Sequence, residues 1–324
     1  MNKIRFGVIG CGNISNKLVI PSIIDYKNTE LIAVASRDNI KAEKYSKKFF
    51  CKGIVGYDKL LKLDEIDAVY ISLPPSLHKI WTIKALNCGK HVLIEKPAST
   101  CYKDTEEMVT LADNKHLLLM ENYMFEYHFQ QNYVKKILSS EIGKIRLFRS
   151  SFGFPLMDKD NFRYKKDLGG GVLLDAGGYP IKATKMFLGN KLKVEYAKLN
   201  DDDNYKVDMF GFAVLANEEN VVSQIAFGFD NFYQCNYEIW GSKGKIIVNR
   251  AFTAGPNIRP RIIIEKQDIR KEIVLPSDNH CTNILDEFTK GIIKKEYGLH
   301  KEEIISQARI IDEIRNYSKM EREY

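Results

Sequence analysis

Three absences narrow the class of this 324-residue chain. Its six cysteines show no Cys-X-X-Cys spacing and no paired framework, so we expect a reduced cytoplasmic protein rather than a disulfide scaffold. No apolar run reaches the roughly 18 residues of a membrane span, and we expect no membrane partner. The first strand is predicted from residue 4, which leaves no room for a signal peptide.

The chain also has no long run of residues with the same charge. The net charge of +7 is spread along the chain, and acids or apolar residues interrupt the lysine-rich runs at 44–48 and 290–295. These runs are typical of solvated helix faces, so we expect no nucleic-acid partner. The basic balance favours an anionic ligand. The length and the hydrophobic content of 44% predict two domains, each with its own core.

The first candidate site follows the opening strand, residues 4–9. Gly10 and Gly12 form a Gly-X-Gly-X-X-small turn that ends at Ser15 and opens a helix. The first glycine allows the tight turn, and the second lets the backbone approach a pyrophosphate. The pattern predicts a dinucleotide site that includes Asn13 and Ile14 at the start of the helix.

The end of the second strand, residues 31–35, bears on which dinucleotide is bound. A site for NAD usually has an acid here, whereas this chain has Ser36 and Arg37, with Lys41 one turn later. An uncharged serine beside two cations suits a 2′-phosphate, so we predict NADP(H) rather than NAD(H). Asp38 is a competing candidate for the ribose acid, and Arg37 and Lys41 are also consistent with an ordinary basic helix start.

A second loop is predicted after the buried strand at residues 67–73. Leu73 and Pro74 begin it, and the two consecutive prolines predict a rigid loop that leads to His78. We place these residues at the cofactor cleft, although His78 could equally be a structural histidine. A helix at 79–87 follows and ends at Gly89.

The buried strand at 90–94 ends in Glu95, Lys96 and Pro97. Ligands bind at the carboxyl ends of the strands in an open α/β sheet, so Lys96 is predicted to point into the crevice. The alternative is a surface lysine that merely follows a strand. A helix at 105–114 and a strand at 117–120 complete a doubly wound domain.

The second half is rich in strands. We predict a helix at 128–138, and two further helices at 279–295 and 301–319 close the chain. Strands are expected at 145–152, 193–199, 209–215, 221–229, 234–240, 245–249, 262–265 and 271–275. The predicted fold class is therefore α/β: a Rossmann domain over residues 1–121, then an α+β domain over 122–324 with a large, open, mostly antiparallel sheet. The active site is expected between the domains, and the uncovered face of the sheet predicts a homodimer or homotetramer.

One segment of the second half combines glycines with reactive side chains. Residues 169–171 are three glycines that allow close packing or ligand approach. A helix from Gly171 would place Asp175 and Tyr179 one turn apart on the same face, as a substrate contact and a proton donor. The alternative is a glycine-rich turn with a tyrosine in the core.

With these motifs together, the chain resembles the Gfo/Idh/MocA oxidoreductases, the group of glucose–fructose oxidoreductase and inositol dehydrogenase. Its glycine turn, its Pro-Pro loop with His78, its Glu95-Lys96-Pro97 and its glycine-rich Asp175/Tyr179 segment occur in the family's order. Many members have histidine where Tyr179 stands, so the chain is similar to the tyrosine branch. Residues 120–125, 162–164 and 250–253 narrow the resemblance to the NDP-hexose 3-ketoreductases.

This resemblance implies an NADP(H)-dependent enzyme of deoxysugar biosynthesis that reduces a keto group, at C3, of a nucleotide-linked deoxy-keto-sugar. Lys96 and Tyr179 are the implied catalytic pair, with exchangeable roles in polarising the ketone oxygen and donating the proton. The implied substrate-binding residues are Asp175, Glu121, Asn122, Tyr123 and Tyr164. The implied cofactor-binding residues are Gly10, Gly12, Asn13, Ile14, Ser36, Arg37, Lys41, Leu73, Pro74, His78, Glu95, Lys96 and Arg163, and no metal is expected.

Two other functions remain open from the sequence. One is an NAD(P)-dependent dehydrogenase of a free sugar, a polyol or a trans-dihydrodiol. The other is a non-catalytic relative that senses NADP, which the intact Lys96, Asp175 and Tyr179 argue against.

Overall fold

The computed structural model describes residues 3–320, which divide into two compact units. The first unit contains residues 3–122 and 281–305, and the second contains residues 123–280 and 306–320. The expected domain ends at residues 1 and 324 lie outside the described residues. The expected break after residue 121 is one residue from the break between the units, whereas residues 281–305, expected in the second domain, pack with the first unit.

The first unit is built on a parallel six-stranded sheet in the order β3-β2-β1-β4-β5-β6. Its strands are β1 (Ile4–Ile9), β2 (Thr29–Ser36), β3 (Lys52–Val55), β4 (Ala68–Ile71), β5 (His91–Ile94) and β6 (Leu119–Glu121). Its helices include α1 (Ile20–Asp25), α2 (Asn39–Phe49), α3 (Tyr57–Leu61), α4 (His78–Asn87) and α5 (Tyr102–Asn114). The strand order reverses between β1 and β4, so the crevice for a ligand opens at the carboxyl ends of these two strands. The predicted doubly wound fold is confirmed.

The short elements of this unit follow local rules. Strand β4 is buried at every position, as expected for an interior parallel strand covered on both faces. Helix α4 is followed by Gly89, whose φ of +71° suits the end of a helix. Pro75–Leu77 forms a 3₁₀ turn where the sequence predicted a rigid loop, because proline is compatible with the first position of a helix.

The second unit contains an eight-stranded sheet in the order β14-β13-β12-β11-β7-β10-β9-β8. Its strands are β7 (Ile145–Phe154), β8 (Leu192–Asp202), β9 (Val207–Asn217), β10 (Val222–Phe229), β11 (Gln234–Gly241), β12 (Lys245–Asn249), β13 (Arg261–Lys266) and β14 (Ile269–Val274). Strands β7 and β10 pair in parallel, whereas the other strand pairs of this sheet are antiparallel. The predicted large, mostly antiparallel sheet is confirmed.

Helices pack against one face of this sheet. Helix α6 (Phe129–Ile142) contacts β12, and α7 (Gly178–Leu188) contacts β7 and β10. Polar and aromatic side chains such as Arg149 and Trp240 are exposed on the strands, and Trp240 retains 52% of its accessible surface.

Helix α8 (His280–Lys294) explains why residues 281–305 belong to the first unit. Its Phe288 is fully buried, with its ring centroid 5.7 Å from that of Phe6 on β1. Its Asp286 accepts a hydrogen bond of 2.6 Å from the Tyr26 hydroxyl. Burial of the apolar face of α8 against the parallel sheet therefore places the helix in this unit. Helix α9 (Lys301–Met320) contributes Ile310 and Ile314 to the core of the second unit.

Among residues 3–320, no helix combines the length and the apolar character needed to cross a membrane.

Candidate active site

The loop after β1 contains two glycines that its surroundings require. Gly10 has a φ of +98°, and a side chain there would overlap the carbonyl oxygen of Ser72, just past β4. A Cβ on Gly12 would lie 3.1 Å from the Ser72 hydroxyl oxygen. The chain then enters a π-helical turn, Ser15–Val19, that continues into α1, where the sequence predicted an ordinary helix. A turn of this kind at the reversal of strand order fits the pyrophosphate of a dinucleotide.

The start of this helix is both ordered and accessible. The Gly12 carbonyl accepts hydrogen bonds from the Ser15 hydroxyl at 2.7 Å and from the Tyr45 hydroxyl at 3.1 Å. Asn13 and Ile14 are exposed. The turn is therefore held by two hydroxyl groups while its residues Asn13 and Ile14 stay accessible to a ligand.

At the end of β2, the carboxylate of Asp38 is engaged in capping a helix. Its Oδ1 accepts hydrogen bonds from the backbone N–H groups of Ile40 at 2.8 Å and Lys41 at 3.2 Å. The Ser36 hydroxyl accepts the N–H of Asp38 at 3.1 Å. The carboxylate that could have held a ribose thus satisfies the first turn of α2. The exposed side chains of Arg37 and Lys41 remain as cations that fit a 2′-phosphate.

His78 joins two loops at the carboxyl edge of the sheet. Its ring nitrogens lie 2.7 Å from the carbonyl oxygens of Leu73, after β4, and Pro97, after β5. The ring is fully buried, and this burial lowers the pKa of His78 to about 4, with the charge of Lys96 acting in the same direction. His78 therefore ties together the loops that carry Pro74 and Lys96.

Glu95 follows β5 and precedes Lys96, whose peptide bond to Pro97 is cis. One Glu95 oxygen accepts hydrogen bonds of 2.5 Å from both the Tyr70 hydroxyl and the Asn122 amide. Burial raises the pKa of Glu95, although these two donors and the charge of Lys96 act in the opposite direction. Burial and the neighbouring carboxylate also hold the pKa of Tyr70 well above its usual range. The residue beside Lys96 is thus fixed by side chains from β4 and from the end of β6.

Glu121 and Asn122 support this same turn. Glu121 Oε1 accepts the backbone N–H of Ala98 at 2.7 Å, and Asn122 donates to Glu95. Both side chains are buried. The structure therefore brings two predicted substrate residues against the backbone around Lys96, while their contact with a substrate stays a prediction.

In the second unit, the three glycines form a turn packed against the preceding segment. Gly171 has a φ of +112°, and a side chain there would overlap a carboxylate oxygen of Asp208. The Gly171 N–H donates to the Arg163 carbonyl at 2.9 Å. Asp208 in turn accepts the N–H of Leu173 at 2.6 Å. These contacts fix the position of the segment that carries Arg163 relative to the helix that carries Asp175.

Arg163 and Asp175 form an ion pair of 2.6 Å between Nε and Oδ2. Their side chains retain 20% and 10% of their accessible surface. Burial alone would lower the pKa of Arg163, but the Asp175 carboxylate outweighs it and raises this pKa. The sequence assigned these residues to the cofactor and to the substrate separately, and the structure shows that they are partners.

Tyr179 lies in α7, just after the π-helical turn Leu173–Gly177. The sequence predicted a regular helix from Gly171, and the π turn changes the spacing between Asp175 and Tyr179. The Tyr179 ring packs within a cluster of aromatic rings, at centroid distances from 4.8 to 5.7 Å. These rings belong to Tyr123, Phe125, Phe152 and Phe252. The phenol is thus held on a rigid element by apolar surfaces.

Tyr164, a predicted substrate residue, is buried and contacts the protein. Its hydroxyl accepts the backbone N–H of Met157 at 2.9 Å, and its ring lies 4.6 Å from that of Tyr205. Its role in substrate binding stays a prediction.

Three structural features were not predicted from the sequence: Tyr70, Asp208 and an ion pair of 3.4 Å between Lys182 and Glu126. Tyr70 and Asp208 have no local signal, because a tyrosine or an acid in a strand is typical of many sheets. Lys182 had one, since it lies three positions after Tyr179 in the same helix, where side chains share a face.

The glycine turn, the cationic end of β2 and the turn at Glu95-Lys96-Pro97 after β5 are arranged on a doubly wound sheet. Within residues 3–320, no group of three or more metal-binding side chains is found. This fold and these residues of the first unit define a dinucleotide-dependent oxidoreductase.

Comparison with known proteins gives the family. Residues 4–123 match the oxidoreductase family with an NAD-binding Rossmann fold, and residues 131–247 match the GFO/IDH/MocA C-terminal domain. The chain belongs to the GFO/IDH/MocA oxidoreductase family, so the family, the fold class and the enzyme class predicted from the sequence are confirmed.

Three relatives define its neighbourhood within the family. The dTDP-3,4-didehydro-2,6-dideoxy-alpha-D-glucose 3-reductase of Saccharopolyspora spinosa is 40% identical, over 89% of this chain and 87% of the relative. The D-xylose 1-dehydrogenase (NADP(+)) 2 of Haloferax volcanii is 30% identical, over 95% of each chain. The structure of KijD10, a 3-ketoreductase from Actinomadura kijaniata in complex with NADP and TDP-benzene, has a TM-score of 0.95 at 37% identity and covers 98% of each chain.

Proposed function

We propose that this chain is an NADPH-dependent reductase of the C3 keto group of a dTDP-linked 3,4-didehydro-2,6-dideoxy sugar, in deoxysugar biosynthesis. The observation that carries this proposal is 40% identity, over 89% of this chain, to a reductase of that substrate. The KijD10 structure, which contains NADP and TDP-benzene, supports the same cofactor and the same nucleotide.

The residues of the first unit fit NADPH. The turn at Gly10 and Gly12, with Asn13 and Ile14, would hold the pyrophosphate through backbone N–H groups. Ser36, Arg37 and Lys41 would hold the 2′-phosphate, because Asp38 is committed to its helix cap. The proposed cofactor set is completed by Leu73, Pro74, His78, Glu95, Lys96 and Arg163. When bound, NADPH supplies a hydride.

Lys96 and Tyr179 are the proposed catalytic residues. The Lys96 ammonium would stabilise the negative charge that develops on the ketone oxygen. The Tyr179 phenol would donate the proton that completes the alcohol. Glu95, the residue before Lys96, is fixed by hydrogen bonds from Tyr70 and Asn122.

The remaining assignments concern the substrate and the assembly. Asp175, Glu121, Asn122 and Tyr164 are the proposed substrate residues. The expected location is the cytoplasm. The face of the second sheet that exposes Trp240 is the proposed surface for a homodimer or homotetramer.

The test is NADPH oxidation by the purified protein against a panel of dTDP-linked 3-keto and 4-keto sugars, with NADH in parallel. The proposal expects turnover of a dTDP-linked 3-keto sugar with NADPH preferred. The D-xylose dehydrogenase relative makes the free-sugar alternative concrete, so the reverse reaction is measured with NADP⁺ on free aldoses, polyols and a trans-dihydrodiol. Turnover confined to those free substrates would refute the proposal.

A further inference from the structure

Tyr123, the first residue of the second unit, packs directly against Tyr179. The two ring centroids are 5.3 Å apart, and the ring planes are nearly perpendicular at 88°. Edge-to-face pairs of this kind are favourable and directional. Tyr123 retains 1% of its accessible surface, so it has little surface to offer to a substrate.

Gly178, the residue before Tyr179, lacks a side chain where the Tyr123 ring lies. Gly178 has a φ of −59°, which any residue can adopt, so its backbone does not require glycine. A Cβ on Gly178, however, would overlap the hydroxyl oxygen of Tyr123 and would lie 3.0 Å from its Cζ. The Tyr123 phenol therefore occupies the space that a side chain at position 178 would need.

The same peptide is fixed from another side. The Gln307 amide donates a hydrogen bond of 2.8 Å to the Gly178 carbonyl. The backbone at Gly178 is thus held between Tyr123 and Gln307, and a shift of either would move the adjacent Tyr179.

A buried ion pair completes the support of Tyr123. Lys182 Nζ lies 3.4 Å from Glu126 Oε2 and 5.4 Å from the centroid of the Tyr123 ring. The Lys182 side chain retains 3% of its accessible surface. A cation at this distance from an aromatic ring attracts it, and desolvation strengthens the attraction. Lys182 lies on α7, so it connects Tyr123 to the helix that carries Tyr179.

We infer that Tyr123 is a positioning residue for Tyr179, seated by the missing side chain of Gly178 and retained by the Lys182–Glu126 pair. This inference rests on the proposed function insofar as Tyr179 is the proton donor. The resemblance implied that Tyr123 binds the substrate, whereas here Tyr123 acts by fixing the position of the Tyr179 phenol. Lys182 and Glu126 then affect turnover through Tyr123.

The contact is tested by combining two substitutions. Gly178→Ala is expected to lower kcat by about 10-fold or more, because misplacement of a catalytic group by about 1 Å costs up to about 10²-fold. Tyr123→Phe removes the hydroxyl that the new methyl group would meet. The Tyr123 Cζ stays 3.0 Å from that methyl group. The double variant is therefore expected to recover part of the kcat and of the melting temperature lost by Gly178→Ala, while Tyr123→Phe alone leaves KM unchanged.

Gly177→Ala is the matched control, since its Cβ would meet the flexible Leu173 side chain at 3.1 Å and the Phe227 ring at 3.3 Å rather than Tyr123. It is expected to retain kcat and not to respond to Tyr123→Phe. Absence of recovery in the double variant would overturn the inference. A rise in KM without a fall in kcat for Tyr123→Phe would do the same, because that result identifies a substrate ligand.

The ion pair is tested with Lys182→Met and Lys182→Arg. The methionine variant is expected to lower kcat with KM unchanged, and the arginine variant to restore part of it by returning a cation. Lys185→Met, a similarly buried lysine on the same helix, is the control. Equal kcat values for the parent and Lys182→Met would show that Lys182 does not help to position Tyr123.

Failure of the proposed function has a separate signature. A parent protein without turnover on any keto-sugar would refute the proposed reaction whatever the variants do. The melting temperatures of Gly178→Ala, Tyr123→Phe and their double variant still report whether the two residues are coupled. If the changes in melting temperature of the two single variants simply add in the double variant, Tyr123 and Gly178 are not coupled, and the inferred contact is wrong.

Discussion

Arg163 donates a hydrogen bond from Nε to Asp175 Oδ2 at 2.6 Å, in a largely buried ion pair. Removing one member of such a pair leaves the other charge poorly solvated, which is costly, whereas removing both is often tolerated. The pair therefore makes the two residues interdependent, whichever of them contacts a ligand.

The first prediction concerns this coupling. Asp175→Asn is expected to lower the free energy of unfolding by about 1.5–3 kcal/mol, the usual worth of a hydrogen bond to a charged group. The double variant with Arg163→Gln should lose less than the sum of the two single variants. Urea unfolding at neutral pH measures all three, and Glu43→Gln, in an exposed ion pair with Lys47, serves as a control with no measurable change. Simple additivity would contradict the coupling.

The second prediction concerns catalysis. Lys96→Ala and Tyr179→Phe are each expected to lower kcat by about 10² or more, the usual contribution of general acid catalysis. Lys96→Ala should retain NADPH binding, because the pyrophosphate and 2′-phosphate contacts are assigned elsewhere in the first unit. Steady-state kinetics and fluorescence titration with NADPH check the two statements. Lys103→Ala, an exposed lysine on α5, is the control, and near-parental turnover by Lys96→Ala would remove that residue from the mechanism.

The third prediction concerns the choice of cofactor. Arg37→Ala and Lys41→Ala should each raise the KM for NADPH by about 10-fold or more and leave the KM for NADH little changed, because a charged hydrogen bond to the 2′-phosphate is lost. Lys44→Ala, also exposed on α2, should change neither value. An equal rise in KM for NADPH and NADH would show that these cations do not bind the 2′-phosphate.

The fourth prediction concerns pH. Burial raises the pKa of Glu95 above its ordinary value of 4.5, so the folded state holds this proton more tightly than the unfolded state. The stabilising contribution of this proton is fully present below the unfolded pKa and is lost as the pH rises through the folded pKa.

Glu95→Gln removes that titration. Relative to the parent, the variant should gain free energy of unfolding as the pH rises from about 4.5 towards neutrality, as measured by urea unfolding across the range. Glu219→Gln, on the surface, should follow the parent at each pH. A constant difference between Glu95→Gln and the parent across this range would contradict the burial argument.

The alternation of strands and helices could be predicted because it follows from the spacing of apolar residues along the chain. Strands β1, β5 and β12 were found at or within one residue of their expected ends. The short β3 and α3 were missed, since four or five residues carry too weak a pattern. The π turns after both glycine segments had no signal in the sequence, because the same residues are compatible with an ordinary helix.

Site residues that stand in a sequence motif could be predicted. The role of a residue that depends on its hydrogen-bond or ion-pair partner could not. Gly10, Lys96 and Tyr179 stand in motifs whose spacing suggests their use. The structure weighs against the competing assignment of Asp38 to a ribose, because its Oδ1 accepts hydrogen bonds from the N–H groups of Ile40 and Lys41.

The sequence by itself determined the glycine turn, the end of β5 at Glu95-Lys96-Pro97 and the two-part organisation of the chain, because backbone restriction and apolar periodicity act between near neighbours. Only the tertiary structure decided that Asp175 pairs with Arg163, that Tyr123 fills the space beside Gly178, and that α8 packs with the first unit. An apolar face or a buried charge requires a partner, and which distant residue supplies it depends on the packing of the whole fold.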